Sequence, residues 1–195
     1  MEKSFCLVVL GLGLVMVCQI GLTAPIDIEK AEIAYLFEEG KGKVAKDASN
    51  NKRNGSLESG VKYGPGKFGT GLVYDGKDDN LIVKGYHGIG GQDPRTVLYW
   101  FKSESAREHS WVKWGPNVAT KKYYVRAHVA GAKCWLRVEN NGGNNWGDVD
   151  VCDGKWHHHA VVFPNKAKDV QDHNIYVDGK LNGKAGAANP MDTDD

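Results

Sequence analysis

Four oxygen-bearing side chains crowd one short stretch: Asp75, Asp78, Asp79 and Asn80. They fall at a strand–turn–strand junction around Asp75-Gly76, where carboxylates and backbone carbonyls can converge on a hard cation such as Ca²⁺. A simpler use of the same residues is also open, with Asp75-Gly76 making the turn and Asp78 and Asp79 solvated. A second group lies on two alternating stretches, 123–129 and 134–139, joined by Ala130-Gly131-Ala132. Pairing them must bring like faces together. One register that does so sets His128 opposite Trp135, Arg126 opposite Arg137 and Tyr124 opposite Glu139. Tyr124, Arg126, His128, Trp135 and Arg137 then form a polar, aromatic, ligand-binding face, while Val125, Ala127, Val129, Leu136 and Val138 turn into a core. Two opposed arginines repel unless an anion or a hydrogen-bonding ligand offsets them, and Trp135 beside them can stack on a sugar ring. The plainer alternative is a solvated sheet face on which Glu139 relieves one arginine. Trp111, Trp114 and Trp146, read as loop residues, can bind a ligand or cap the core.

Other constellations fall short. His157 and His159 share a strand face, but two ligands do not close a zinc site. The glycines of Gly64-Pro-Gly66-Lys-Phe-Gly69 lack the following helix of a dinucleotide site. Asp78 stands where a P-loop needs its Mg²⁺-binding hydroxyl. Asp47, Ser49, Asn51 and Glu58 have the ligand spacing of an EF-hand loop without its glycine or its helices, although one of them can still serve a rim site. A sugar-cleaving pair of carboxylates must sit roughly 5–10 Å apart across the bond, and no strand carries two acids on one groove-lining face. The residues therefore point to binding without catalysis. Cys134 and Cys152 flank residues 139–148 almost symmetrically, as a disulfide stapling a hairpin would. Strict alternation with Val149 and Val151 inward instead turns Cys134 in and Cys152 out, unless a bulge intervenes.

The elements that must position these groups are strands. The chain has 195 residues, 41% hydrophobic and 25% charged, with Lys+Arg 25 against Asp+Glu 24. That composition belongs to a globular protein. The net charge of +1 gives no electrostatic reason to expect a nucleic-acid partner or an anionic membrane. Twenty-five glycines, eight tyrosines and six tryptophans suit many short strands and tight turns. Residues 33–37, 69–74, 80–83, 96–101, 122–129, 134–138, 156–163 and 174–177 read as strands. No 3.6-residue period is sustained, so the pattern is that of an all-β antiparallel sandwich.

Residues 1–24 have the layout of a secretory signal peptide: Lys3, an apolar run, and small residues ending at Ala24. An uncleaved anchor or a lipid-modified Cys18 are the rival readings. Cleavage removes Glu2 and Lys3 together, leaves the charge balance unchanged and leaves no membrane-inserted segment. It also leaves Cys134 and Cys152 as an even pair in a secreted or extracytoplasmic, oxidising setting. Residues 25–195 then form one domain.

Three pieces carry a resemblance: Tyr35-Leu-Phe-Glu-Glu-Gly-Lys-Gly with Asp47-Ala-Ser-Asn-Asn; Gly66-Lys-Phe-Gly-Thr-Gly-Leu-Val-Tyr-Asp-Gly-Lys-Asp-Asp-Asn80; and Asp153-Gly-Lys-Trp-His-His-His-Ala with Ile175-Tyr-Val-Asp-Gly-Lys180. In this order the chain resembles the laminin-G-like (concanavalin A-like) jelly-roll domain of secreted bacterial proteins. The resemblance implies two curved antiparallel sheets packed face to face and a carbohydrate- or protein-binding module. A structural or adhesive domain, or a glycoside hydrolase or lyase on the same fold, are the alternatives. It also implies that Trp156 sits in the core and that rim loops such as Asp79-Asn80 hold Ca²⁺. After Tyr176-Val-Asp-Gly such domains return a further strand. Here Asn189-Pro-Met-Asp-Thr-Asp-Asp195 follows, polar and strandless, as if the C-terminal strand were missing.

Overall fold

A computed structural model describes residues 26–193, so the signal-peptide reading of residues 1–24 lies outside the described chain. The N-terminal part contributes β1 (Val44–Ala45), β2 (Gly55–Glu58), β3 (Lys62–Pro65), β4 (Thr70–Val73) and β5 (Asn80–Ile82). The remainder contributes β6 (Arg95–Phe101), β7 (Ser110–Trp114), β8 (Tyr123–Ala130), β9 (Lys133–Glu139), β10 (Asn144–Trp146) and β11 (His157–Phe163). It closes with β12 (Asn174–Val177), β13 (Lys180–Leu181) and β14 (Lys184–Ala185).

Two sheets share the main core. One has strand order β14-β10-β9-β8-β7, the other β13-β12-β11-β6, and their pairings are antiparallel. Alternation on β8 and β9 turns Val125, Ala127, Leu136 and Val138 inward. They meet Tyr99 and Phe101 of β6, Val161 and Phe163 of β11, and Ile175 and Val177 of β12. Trp111 crosses the interior, its ring edge-on to Phe101 at 4.8 Å and to His159 at 5.0 Å. Two sheets that bury alternate residues against each other make an antiparallel sandwich. A smaller core of Phe37, Ala45, Leu57, Val61 and Leu72 lies under the sheets β1-β2-β5 and β3-β4. No helix among the described residues is long and apolar enough to cross a membrane.

Several local expectations are corrected. Residues 33–37 make only a single bridge, Tyr35 to Asp47. Phe37 leaves extended geometry at φ 56° to drop its ring into the smaller core. Trp111 and Trp114 lie in β7, and Trp146 in β10, rather than in loops. Trp156 precedes β11 and is half-buried, whereas His157 and His159 face inward. The polar C-terminal stretch packs onto the sandwich. Met191 is fully buried, and bridges join Pro190 to Asp169 and Thr193 to Gly91. Arg95, buried at the start of β6, gathers these parts. Its guanidinium donates to the carbonyls of Ile89 (2.6 Å), Gly90 (3.1 Å) and Gly91 (2.8 Å), and to Thr193 Oγ1 (2.6 Å).

Candidate functional site

The β8–β9 hairpin turns at Gly131-Ala132, with Gly131 at φ 61°. Its register sets His128 against Trp135, Arg126 against Arg137 and Tyr124 against Glu139. The next strand places Trp146 beside Arg137. One solvent face of the five-stranded sheet thus collects Tyr124, Arg126, His128, Trp135, Arg137, Glu139 and Trp146.

The opposed arginines are offset within the protein. Glu139 Oε2 lies 3.0 Å from Arg126 Nε and 3.0 Å from Arg137 Nη2, while Oε1 accepts from Lys122 Nζ at 3.1 Å. Arg126 Nη1 also reaches the exposed Glu108 at 2.6 Å. Burial pushes the Glu139 carboxyl up, but the hydrogen bond from Lys122 and the charges of Arg126 and Arg137 outweigh it and hold it below its ordinary value. Lys122 and Glu108 were not foreseen. Lys122 stands two residues before Tyr124, so alternation alone could have placed it on this face; Glu108, in a loop, had no such signal.

Around this charge network lie the rings. His128 stacks on Trp146, with centroids 5.5 Å apart, and lies 5.6 Å from Trp135. Burial, then the charges of Arg137 and Arg126, lower the affinity of His128 for a proton. The neutral ring's Nδ1 can therefore accept from Arg137 Nη1 at 3.3 Å. Trp135 Nε1 and Arg137 Nε are buried without a hydrogen-bond partner among the described residues. Beside Arg137 opens a pocket of about 300 Å³ lined by Glu139, Asn141, Gly142, Gly143 and Asn144. Asn140 shapes its loop by accepting from Gly143 N at 2.9 Å.

At the predicted cation site, Asp75, Asp78 and Asp79 each offer an oxygen, and all three oxygens lie within 4.8 Å of one another. Asp79 Oδ2 accepts from Asp75 N at 2.7 Å, while its Oδ1 is buried with no hydrogen-bond partner among the described residues. Asn80 donates to the Asp78 carbonyl at 2.6 Å. Turn chemistry is also present, since Asp75 Oδ1 accepts from Lys77 N at 2.9 Å. Asp47 organises its own loop. Both its oxygens are occupied by Ala34 N, Ser49 N, Ser49 Oγ and Arg53 N.

The histidine string is structural. His157 is bracketed by Asp178 at 2.7 Å and Asp153 at 3.0 Å, which ties the Asp153-Gly-Lys loop to the β12–β13 turn. His159 lies in the core. The acid pairs Glu108 with Glu139 and Asp153 with Asp178 are thus each bridged by a basic side chain, Arg126 or His157. Cys134 and Cys152 form a disulfide with Cα atoms 5.6 Å apart. Strict alternation fails there because residues 147–156 are not a strand. Val151 is buried while Val149 is 39% exposed, and Cys152 turns inward. No protein-family model, curated protein or solved structure matches this chain.

Proposed function

We propose that this is a laminin-G-like, extracytoplasmic binding module that recognises a glycan on the outer face of the β8–β9 hairpin, without catalysis. The single observation that carries the reading is the row of His128, Trp135 and Trp146 rings. It adjoins a guanidinium and an open polar pocket, a combination of apolar platforms and few polar groups that suits a sugar. The disulfide fits an oxidising compartment. Binding measured on a glycan array and then by calorimetry tests it. Trp135→Ala and Trp146→Ala each weaken a positive glycan at least tenfold, about 1.4 kcal/mol. Unchanged affinity in both variants moves the ligand off this face. Release of reducing ends from a bound polysaccharide would instead favour a hydrolase or lyase.

Calcium at the Asp75, Asp78 and Asp79 junction is a second reading, favoured by the converging oxygens and by Asp79 Oδ1, which has no hydrogen-bond partner among the described residues. Millimolar Ca²⁺ then raises Tm relative to EDTA by several degrees, since a ligand that binds only the folded state stabilises it by mass action. Asp79→Ala removes the rise. A Tm indifferent to Ca²⁺ removes metal from the description.

A further inference from the structure

The charges on the hairpin face do not balance. Lys122, Arg126 and Arg137 face Glu139 and Glu108, so three cations share two carboxylates. The shortfall falls on one residue. Arg126 has a carboxylate at Nε and a second at Nη1, and Lys122 has one oxygen of Glu139 with Asn117 nearby. Arg137 shares the Glu139 oxygen already taken by Arg126. Its Nη1 meets the neutral His128, its guanidinium carbon lies 5.9 Å from the centre of the Trp146 ring, and its buried Nε has no hydrogen-bond partner among the described residues. Arg137 is also the cation that lines the pocket. A guanidinium is a rigid fork matched to planar oxyanions, and a neutral sugar hydroxyl leaves its charge uncompensated. Burial lowers the pKa of Arg137; Glu139 and Glu108 oppose that shift and Arg126 reinforces it.

Resting on the glycan reading above, we infer that the ligand is a carboxylate-bearing, uronic-acid-type saccharide whose carboxylate pairs with Arg137 beside the Trp135, His128 and Trp146 rings. The test compares oligogalacturonate with its methyl ester, which keeps the sugar and removes the charge, by calorimetry on the whole protein. The free acid binds roughly tenfold or more tightly than the ester, as for a hydrogen bond between charged groups. Arg137→Gln collapses that difference while leaving weak binding to the ester, and Trp135→Ala removes binding of both. Glu139 keeps Lys122 and Arg126 in Arg137→Gln, and a cooperative melt confirms the fold. Should that variant melt early, Arg137→Lys, which keeps the charge without the fork, takes its place and narrows the difference.

Equal affinity for acid and ester overturns the inference while the glycan reading stands. So does Trp135-dependent binding of neutral glycans alone, or tighter binding of a sulfated neutral glycan than of the uronate. Failure to bind any glycan overturns both.

Discussion

Glu139 sits at the end of β9, where one carboxylate with an 11% exposed side chain faces Lys122, Arg126 and Arg137. Removing one partner of a buried ion network leaves the other charges unpaired, which costs more than the network contributes over an apolar replacement. Glu139→Gln keeps the shape and removes the charge, so three cations crowd one face with only Glu108 left. The expected loss is about 3 kcal/mol or more. At about 2–4 °C per kcal/mol for a chain of this size, Tm falls by about 6–12 °C. Adding Arg126→Gln to that variant recovers part of the loss, because repulsion rather than shape is the cause. A single-variant shift within about a degree would mean that solvent already screens the cluster. The carboxyl titrates below its ordinary value in the folded state, so its stabilising effect is present at neutral pH and is lost as the pH drops through the folded value.

At the scale of elements, legibility followed locality. β6, β8, β9, β11 and β12 announce themselves by apolar runs or clean alternation. Opposite face polarities admit the β8–β9 register as one of those that match like faces, and the two-residue turn at Gly131-Ala132 selects it. β7 escaped notice because the register shifts between Ser110 and Val112, so Trp111 and Val112 are both half-buried and the alternation breaks. β10 is three residues long among asparagines and glycines, and its identity comes from β9 and β14 on either side. Residues 33–37 show the opposite error: the apolar run is real, but Phe37 at φ 56° breaks the extended chain and packs the smaller core. At Cys152 the decisive group is Asp150, whose Oδ1 accepts from Cys134 N at 3.2 Å and Cys152 N at 3.1 Å. That local turn brings the thiols together, and no period-two pattern encodes it. The hold of Arg95 on Thr193 spans a separation of 98 residues, beyond what spacing along a chain reveals.

Across the whole molecule, the buried histidines set the response to acid. His159 is fully buried among Tyr99, Phe101 and Trp111, with neither ring nitrogen partnered among the described residues. Burial, with His157 and His158 adding repulsion, holds it well below its ordinary value. His173 lies between Tyr123 and Phe163, and burial lowers it to about 4. The Val170 carbonyl, Asp172 and Asp169 oppose that shift, and Arg95 reinforces it. Both are bases with depressed folded values, so below about 6.5 the unfolded chain takes up protons that the folded core refuses. Stability is therefore full above about pH 6.5 and falls progressively as the pH descends toward 4. For His173 that loss is on the order of 3 kcal/mol over the window, at about 1.4 kcal/mol per unit. Asp153, which burial pushes up but Lys155 and His157 hold at about 2, resists titration until far lower pH. Its own contribution is lost mainly below about pH 4, between the ordinary carboxylate value and about 2, after the histidine loss has largely run its course. His159→Leu separates the histidine effect from general acid loss, since an apolar side chain suits a pocket that offers no hydrogen bond. Its Tm at pH 7 equals or exceeds that of the parent, and its loss between pH 7 and pH 4.5 is smaller. A parallel loss in the two proteins over that interval would show that His159 is not among the groups that take up protons on unfolding.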